Sequence, residues 1–158
     1  MFIGLTGSNG SGKSTLLKCI YRVLKPDQGA VYINQKDISH LSYKQSAREM
    51  AVVAQKTPCL ILDEPTNHLD ITYQLELLDI VKSLNITVIS AIHDLNMAAM
   101  FCDRLYVLRD GQILSSGTPE EVLTTQMIRE VYHVESQIVY DADGHMHILY
   151  LQNGHSHT

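Results

Sequence analysis

The chain has 158 residues, the size of one ordinary domain, and 45% of them are hydrophobic, which is enough to build a packed core. Its formal net charge of -5 disfavours a nucleic-acid partner, because the chain as a whole offers no basic surface for capturing a polyanion. Three cysteines predict reduced thiols rather than a disulfide framework, and no apolar stretch reaches the roughly 20 residues of a membrane span, so we expect a soluble chain that is not exported.

Strands and helices alternate in the first part of the chain. The segments predicted up to Asp63 are, in order, the strand "MFIGLTG", the helix "KSTLLKCIYRVL", the strand "AVYI", the helix "SYKQSAREM" and the strands "AVVA" and "CLILD". Ser42 is a plausible cap for the second of these helices. A parallel sheet produces such a rhythm, because each parallel strand needs a crossover before the next one.

The same alternation continues to the end of the chain. The segments predicted here are the helix "ITYQLELLDIVKSL", the strand "TVISAI", the helix "LNMAAMFC", a hairpin at Asp110-Gly111, two short helices in "TPEEVLTTQMIREVYHV", and a second hairpin at Asp143-Gly144. The sequence therefore predicts an α/β fold: a mostly parallel sheet flanked by helices, with β-hairpins near the C-terminus.

The string "GSNGSGKST" fits the phosphate-binding pattern G-x-x-x-x-G-K-[ST], after a predicted strand and at the start of a predicted helix. Its glycines let successive backbone N–H groups converge on a phosphate, and the start of the helix adds its positive end. Lys13 would bring a charge to the β- and γ-phosphates, and Ser14 a hydroxyl to Mg2+. The residues predicted to bind nucleotide in this loop are Gly7, Ser8, Asn9, Gly10, Ser11, Gly12, Lys13, Ser14 and Thr15.

Two acids follow the apolar run "CLIL", where a strand should emerge from the sheet. Asp63 is expected to hold Mg2+, and Glu64 to orient or deprotonate the attacking water. His93 follows the strand "TVISAI", at the edge where ligands of parallel sheets collect, although by spacing alone a structural role is equally well supported.

Four segments together resemble the nucleotide-binding subunit of ATP-binding-cassette transporters: "GSNGSGKST", "LILDEPTNHLD", "AIHD" and "DRLYVLRDGQILSSGTPEEVL". The segments "DEPTNHLDITYQLELL" and "TPEEVLT" are most similar to subunits that energise import of iron-siderophore complexes, haem or cobalamin. The resemblance implies a RecA-like P-loop NTPase fold and an ATPase that uses ATP and Mg2+. It also implies two partners, an integral-membrane permease and a second copy of the subunit, and a cytoplasmic location on the inner face of the cell membrane.

The resemblance also assigns roles to individual residues. It makes Asp63 the Walker B aspartate, Glu64 the catalytic base, Asp70 the D-loop aspartate and His93 the switch histidine that senses the γ-phosphate. Gln55 matches the Q-loop glutamine, which in the family touches magnesium and the coupling surface of the membrane subunit, although "AQK" could equally end a helix that leads into the Walker B strand.

The strands "AVVA" and "CLILD" are too close in sequence to be neighbouring parallel strands, because "KTP" spans only roughly 10 Å and a parallel crossover takes a dozen or more residues. The family has a helical subdomain at this point, with the signature "LSGGQ", and that string does not occur in this chain. We expect one ATP-binding core over residues 1–158 and hypothesise that a segment is missing between residues 50 and 57, either deleted, or disordered and omitted.

The N-terminus differs from the family pattern as well, because the family has an earlier β segment whose aromatic side chain stacks on adenine. We therefore expect nucleotide affinity to depend on phosphate contacts, with weak selectivity for the base. Because the signature "LSGGQ" is absent, we expect hydrolysis by this chain alone to be slow or absent. The alternatives are a soluble family member in a non-transport role and a non-catalytic, nucleotide-responsive interaction module, although such a module would need neither Glu64 nor His93. Four histidines near the C-terminus, at positions 145, 147, 155 and 157, are a candidate metal site, with an exposed tail as the alternative.

Overall fold

The computed structural model describes residues 1–33, 35–50 and 59–152, apart from the side chains of residues 47–50. The strands are β1 (Phe2–Gly7), β2 (Tyr32–Ile33), β3 (Lys36–Asp37), β4 (Cys59–Asp63), β5 (Thr87–Ala91), β6 (Arg104–Arg109), β7 (Gln112–Gly117), β8 (Ser136–Tyr140) and β9 (Met146–Tyr150). The helices are α1 (Lys13–Ile20), α2 (Tyr43–Met50), α3 (Ile71–Ser83), α4 (Leu95–Phe101), α5 (Pro119–Val122) and α6 (Thr125–Tyr132), with one 3-10 turn at Ile38–His40.

The central sheet has five strands in the order β4-β5-β1-β6-β7. β1 pairs in parallel with β5 and β6, β4 pairs in parallel with β5, and only β7 runs antiparallel to its neighbour. Asp63 is opposite Ala91 in the register, and Ala91 is opposite Leu5. The loops that follow β1, β4 and β5 therefore leave the sheet at one common edge, as the ligand sites of parallel sheets require. The predicted α/β fold with a mostly parallel sheet is confirmed.

Helices cover both faces of this sheet, as the alternation of side chains along its strands shows. Phe2, Val88 and Leu105 belong to the larger apolar core, which includes side chains of α3, α4, α5 and α6. Leu5 and Ala91, each an odd number of positions away on the same strand, belong instead to the smaller core beneath α1. Because both faces of the sheet are buried, the sequences of these strands are nearly continuous apolar runs.

The predicted start of α2 and the predicted turn of the first hairpin are both confirmed. The Ser42 hydroxyl accepts from the Gln45 N–H at 3.1 Å, and the Gln45 side chain accepts from the Ser42 N–H at 2.9 Å, which is a capping box. Asp110 and Gly111 have φ values of 50° and 75°, the left-handed pair that a two-residue turn needs to match the twist of its strands.

The helix predicted for "KSTLLKCIYRVL" ends earlier than its apolar spacing indicates. α1 stops at Ile20, Arg22 has a φ of 65°, and the Val23 and Leu24 N–H groups both return to the Lys18 carbonyl. Val23 is consequently 65% exposed instead of continuing the buried stripe. The Arg22 side chain explains the turn, because it donates to the carbonyl of Leu41 at 2.9 Å and to the hydroxyl of Ser46 at 2.7 Å. These tertiary contacts override the helical pattern.

The strand predicted for "AVVA", the glutamine Gln55 and the proposed missing segment all fall outside the described residues. Only residues 51–58 separate α2 from β4 in the sequence, too few for a helical subdomain.

Of the helices that the structure describes, none is long and apolar enough to cross a membrane. The three cysteines are free, as predicted, and burial raises the pKa of Cys102 to about 12.

Candidate functional site

The loop after β1 has the backbone conformation that its glycines predict. We call residues 7–15 the phosphate loop. Gly10 and Gly12 have left-handed φ values of 78° and 103°, which side chains rarely allow. A Cβ added to Gly7 would lie 2.2 Å from the Leu108 carbonyl oxygen and 2.7 Å from the Ser11 hydroxyl, so no larger residue fits there. The loop is thus packed against β6 at its beginning and curled toward the start of α1.

Lys13 lies inside this curl. Its Nζ donates to the carbonyls of Gly7 at 2.7 Å and Ser8 at 3.1 Å, and to the Ser11 hydroxyl at 3.4 Å. Burial lowers the pKa of Lys13, and the nearby carboxylates of Glu64 and Asp63 partly oppose that effect. Carbonyl groups of the loop therefore hold the ammonium group beside two acids. A phosphate bound in the loop would replace these carbonyls with a charged acceptor.

Ser14 and Asp63 meet across the edge of the sheet. The Ser14 hydroxyl donates to Asp63 Oδ1 at 3.2 Å, although the two residues are 49 positions apart. Ser14 is in the first turn of α1 and Asp63 is the last residue of β4. A hydroxyl and a carboxylate oxygen are hard ligands of the kind that Mg2+ takes in nucleotide sites, so this donor set fits the ion that the sequence predicts.

Glu64 follows Asp63 in a left-handed conformation, with a φ of 46°. Such a conformation costs a residue other than glycine about 1–2 kcal/mol. Two interactions hold it in place: its N–H donates to the Ala91 carbonyl at 3.1 Å, and its Oε2 accepts from the side-chain amide of Asn67 at 2.6 Å. The carboxylate is thereby fixed beside the phosphate loop.

Glu64 and the phosphate loop line a single cavity of about 240 Å³. The residues of the loop that line it are Asn9, Gly10, Ser11, Gly12, Lys13, Ser14 and Thr15. The structure thus brings together the loop, Lys13, Ser14, Asp63 and Glu64 at the same edge of the sheet. A cavity lined by the phosphate loop, with the ammonium of Lys13 and the carboxylate of Glu64, and with Asp63 beside Ser14, suits a ligand that carries both phosphate groups and a divalent cation.

The other predicted site residues lie farther out. His93 is exposed and comes just after β5, so it leaves the sheet at the same edge as Asp63 and the phosphate loop. The next residue, Asp94, caps α4 by accepting from the N–H groups of Asn96 and Met97. Asp70 is exposed at the N-cap of α3 and does not line the cavity. Gln55 lies outside the described residues.

Three contacts at the site were not predicted from the sequence. Asn67 orients Glu64 from the turn that follows β4, where the Asn67 N–H also returns to the Glu64 carbonyl. The Gly111 N–H in the β6–β7 turn donates to the Ser11 carbonyl at 3.0 Å. The third contact joins the hydroxyls of Tyr132 and Thr6 at 2.5 Å. The only sequence signal for any of them is the spacing of Asn67, three residues after the acid that it contacts.

Two further features are separate from this cavity. A larger cavity, of about 460 Å³, lies between the end of α1 and the start of α2, and among the described residues no predicted phosphate or metal ligand lines it. In the C-terminal hairpin, Asp141 lies 3.0 Å from His147 Nε2 and 3.2 Å from His145 Nδ1. The hydrogen bond with the His147 side chain and those from the backbone N–H groups of His145 and Asp143 hold the pKa of Asp141 far below its usual range. His155 and His157 lie outside the described part of the chain.

Several proteins with similar sequences are named as ATP-binding proteins of import systems. The petrobactin import ATP-binding protein of Bacillus anthracis is 28% identical over 211 residues, which cover 85% of this chain and 77% of the relative. The hemin import ATP-binding protein of Pseudoalteromonas translucida is 41% identical over 91 residues, which cover 56% of this chain and 35% of the relative. The first alignment is longer than this chain, so that relative has residues without a counterpart here.

Solved structures show the same fold. A putative metal-chelate type ABC transporter, in an inward-facing conformation, matches with a TM-score of 0.71 and 20% identity, covering 96% of this chain and 86% of the other. A dimeric ATP-binding cassette bound to ADP and phosphate matches with a TM-score of 0.63 and 19% identity, covering 75% and 85%.

The family model described as ABC transporter matches residues 1–118, which include the phosphate loop, both acids after β4, and His93. This match covers most of the chain, and it agrees with the fold and with the similar import proteins. The chain therefore belongs to the ABC transporter family, as one of its ATP-binding, ATP-hydrolysing subunits.

Proposed function

We propose that this chain energises the import of iron chelates, such as siderophores or haem, by binding one Mg-ATP between the phosphate loop and the acids that follow β4. The contact between Ser14 and Asp63 carries the proposal for the site, because it joins the phosphate loop to the acidic end of β4. The names of the similar proteins, which describe petrobactin and hemin import, support the class of substrate.

In this proposal the ATP phosphates occupy the cavity beside the phosphate loop. The loop N–H groups donate to the β-phosphate, and Lys13 exchanges its carbonyl acceptors for phosphate oxygens. Mg2+ would be held by Ser14 and Asp63, and when bound it neutralises charge on the phosphate oxygens. The carboxylates on the rim disfavour a bare triphosphate, so ATP binding is expected to be strongest for the magnesium complex.

Glu64 then acts on the water that attacks the γ-phosphorus, while the bond from this phosphorus to the β–γ bridging oxygen breaks and ADP leaves with that oxygen. Its carboxylate accepts a proton from that water, and the hydrogen bond from Asn67 fixes the orientation of the carboxylate. His93, at the same edge of the sheet, senses the γ-phosphate, and Gln55 and Asp70 keep the family roles that the resemblance implies. In the family, a signature segment of a second subunit completes the site, and "LSGGQ" is absent from this chain. The chain alone is therefore expected to bind Mg-ATP and to hydrolyse it slowly.

The proposal also includes the partners of the family: a permease in the membrane and a second ATP-binding subunit. It places the chain on the cytoplasmic face of the membrane, held there by the permease. Co-purification from a membrane extract tests this, with retained proteins identified by mass spectrometry. Recovery of an ABC permease is expected, whereas recovery of soluble partners only would favour a non-transport role.

Calorimetric titration and a turnover assay test the site. We expect saturable ATP binding that weakens at least tenfold when EDTA removes the metal, on the order of the loss expected for one or two charge-assisted contacts. Asp63→Asn should reduce this metal dependence, while Asp79→Asn, at an exposed position of α3, serves as the control. The absence of ATP binding, or rapid turnover that rises with protein concentration, would refute the proposal for this chain.

Asn67 allows a separate prediction about hydrolysis. Asn67→Ala removes the 2.6 Å hydrogen bond to Glu64, and we expect the single-turnover rate to fall about 3- to 10-fold, the value of one hydrogen bond. ATP affinity should stay within about twofold, because Asn67 does not line the cavity. Gln74→Ala is the matched control, since that amide donates to the nearby Leu69 carbonyl instead. An unchanged rate in Asn67→Ala would show that Glu64 does not depend on this contact.

A further inference from the structure

The hydroxyl of Tyr132 reaches the phosphate loop from the C-terminal part of the chain. It shares a 2.5 Å hydrogen bond with the Thr6 hydroxyl, although the two residues are 126 positions apart. Thr6 is completely buried, and it directly precedes Gly7, the first residue of the phosphate loop. Burial raises the pKa of Tyr132, so this side chain stays a neutral phenol that can both donate and accept.

The hydrogen bond between Tyr132 and Thr6 lies next to the Thr6–Gly7 peptide group, where the phosphate loop begins. Gly7 is the first residue of the phosphate loop, and its carbonyl accepts from Lys13 Nζ at 2.7 Å. Its α-carbon is packed against the Leu108 carbonyl on one side, where even a methyl group would collide. Rotation of this peptide would move the Lys13 acceptor and misalign the N–H groups that follow it. A fixed hydroxyl beside Thr6 and Gly7 restricts that rotation.

α6 holds the Tyr132 ring in a defined place. Ile128 and Val131 on this helix are 0% and 2% exposed in the larger core. Thr124 caps the start of the helix by accepting from the Met127 N–H, and Arg129 forms an ion pair with Glu135 just beyond its end. Because both ends and the buried face are anchored, the position of the Tyr132 hydroxyl is set by the core and not by the loop that it contacts.

We propose that Tyr132 is a positioning residue for nucleotide binding, whose hydroxyl fixes the Thr6–Gly7 end of the phosphate loop in the conformation that accepts phosphate. This inference rests on the proposed function, because it assumes that the loop binds the phosphates of ATP. It adds a part of the chain that the family model does not match, since the model ends at residue 118. α6 thereby becomes a support of the nucleotide site.

A double-mutant cycle tests the inference. The variants are Tyr132→Phe, Thr6→Val and both together, each nearly equal in shape to the original side chain. We expect either single change to raise the Kd for Mg-ATP and Mg-ADP about 3- to 10-fold, the effect of one hydrogen bond. The Kd of the double variant should be no higher than that of the single variant that binds more weakly, because the two substitutions remove the same hydrogen bond.

Two controls separate positioning from general stability. Thr6→Ser keeps the hydroxyl and should keep the Kd within about twofold. Tyr140→Phe removes a phenol from β8, where the side chain is 56% exposed, and should also leave the Kd within about twofold. Melting temperatures are measured for every variant, so that lost stability can be compared with lost affinity.

The outcomes are distinct. A rise in Kd confined to Tyr132→Phe, Thr6→Val and the double variant supports the inference. A lower melting temperature with unchanged Kd would reduce the hydrogen bond to a structural role and overturn it, as would strictly additive effects in the double variant. If the wild-type chain binds no Mg-ATP, the proposed function fails and the inference with it, whereas unchanged binding in Tyr132→Phe overturns the inference alone.

Discussion

Lys13→Ala is expected to raise the Kd for Mg-ATP at least about 100-fold. The lysine is 5% exposed, and its Nζ already makes two hydrogen bonds to loop carbonyls at 2.7 and 3.1 Å, within the cavity beside Glu64. Two charge-assisted hydrogen bonds to phosphate contribute about 1.5–3 kcal/mol each, or about 3 kcal/mol in total at the lower limit. A loss of that size is a factor of at least about 100 in affinity.

Lys18→Ala is the matched control for this experiment. Lys18 is on the same helix and carries the same charge, but it is exposed and does not line the cavity. Its removal should change the Kd by no more than about twofold, as expected for an exposed substitution. Fluorescent-nucleotide titration measures both variants, and circular dichroism checks that both fold. Equal affinities for Lys13→Ala and Lys18→Ala would mean that the phosphates bind elsewhere.

Glu64→Gln is expected to slow ATP hydrolysis at least about 100-fold, because a positioned general base contributes about 10² to 10⁴ in rate. The amide keeps the shape of the side chain and can still accept from Asn67, so the geometry of the turn should be retained. ATP affinity should be unchanged or higher, since the substitution removes a negative charge next to the triphosphate. The loss should therefore appear in the chemical step alone.

A single-turnover assay with radiolabelled ATP, followed over hours, suits the slow hydrolysis expected of this chain. Glu76→Gln on the exposed face of α3 is the control, because it makes the same chemical change away from the cavity. We expect this control to hydrolyse ATP at the wild-type rate. Hydrolysis by Glu64→Gln at the wild-type rate would exclude Glu64 as the base and would direct attention to another acceptor at this edge.

The sheet and the meeting of the loop with the two acids were predictable because local signals and topology agree. A glycine marks the end of β1 and apolar runs mark the buried strands. Parallel strands place their carboxyl ends at one edge of the sheet. Lys13, Asp63 and Glu64 therefore come together without any knowledge of side-chain conformation. The roles of these residues in catalysis stay predictions until the variants are measured.

Other features could not be predicted, because they depend on contacts between distant parts of the chain. Apolar spacing extends α1 to Leu24, but the hydrogen bonds of Arg22 to Leu41 and Ser46 end the helix early. Nothing in the sequence pairs Tyr132 with Thr6, since that contact depends on how α6 packs on the sheet. The role of Gln55 also stays a prediction, because it lies outside the described residues.

In the proposed site, the phosphate loop and the acids after β4 bind one magnesium-nucleotide together. A crystal structure of the chain with Mg2+ and a non-hydrolysable ATP analogue would show where both ligands bind. We expect the β-phosphate within hydrogen-bonding distance of the N–H groups of residues 7–15, Lys13 turned toward the phosphates, and the metal between Ser14 and Asp63. A nucleotide bound at another surface, or a metal that contacts neither Ser14 nor Asp63, would contradict the proposed site.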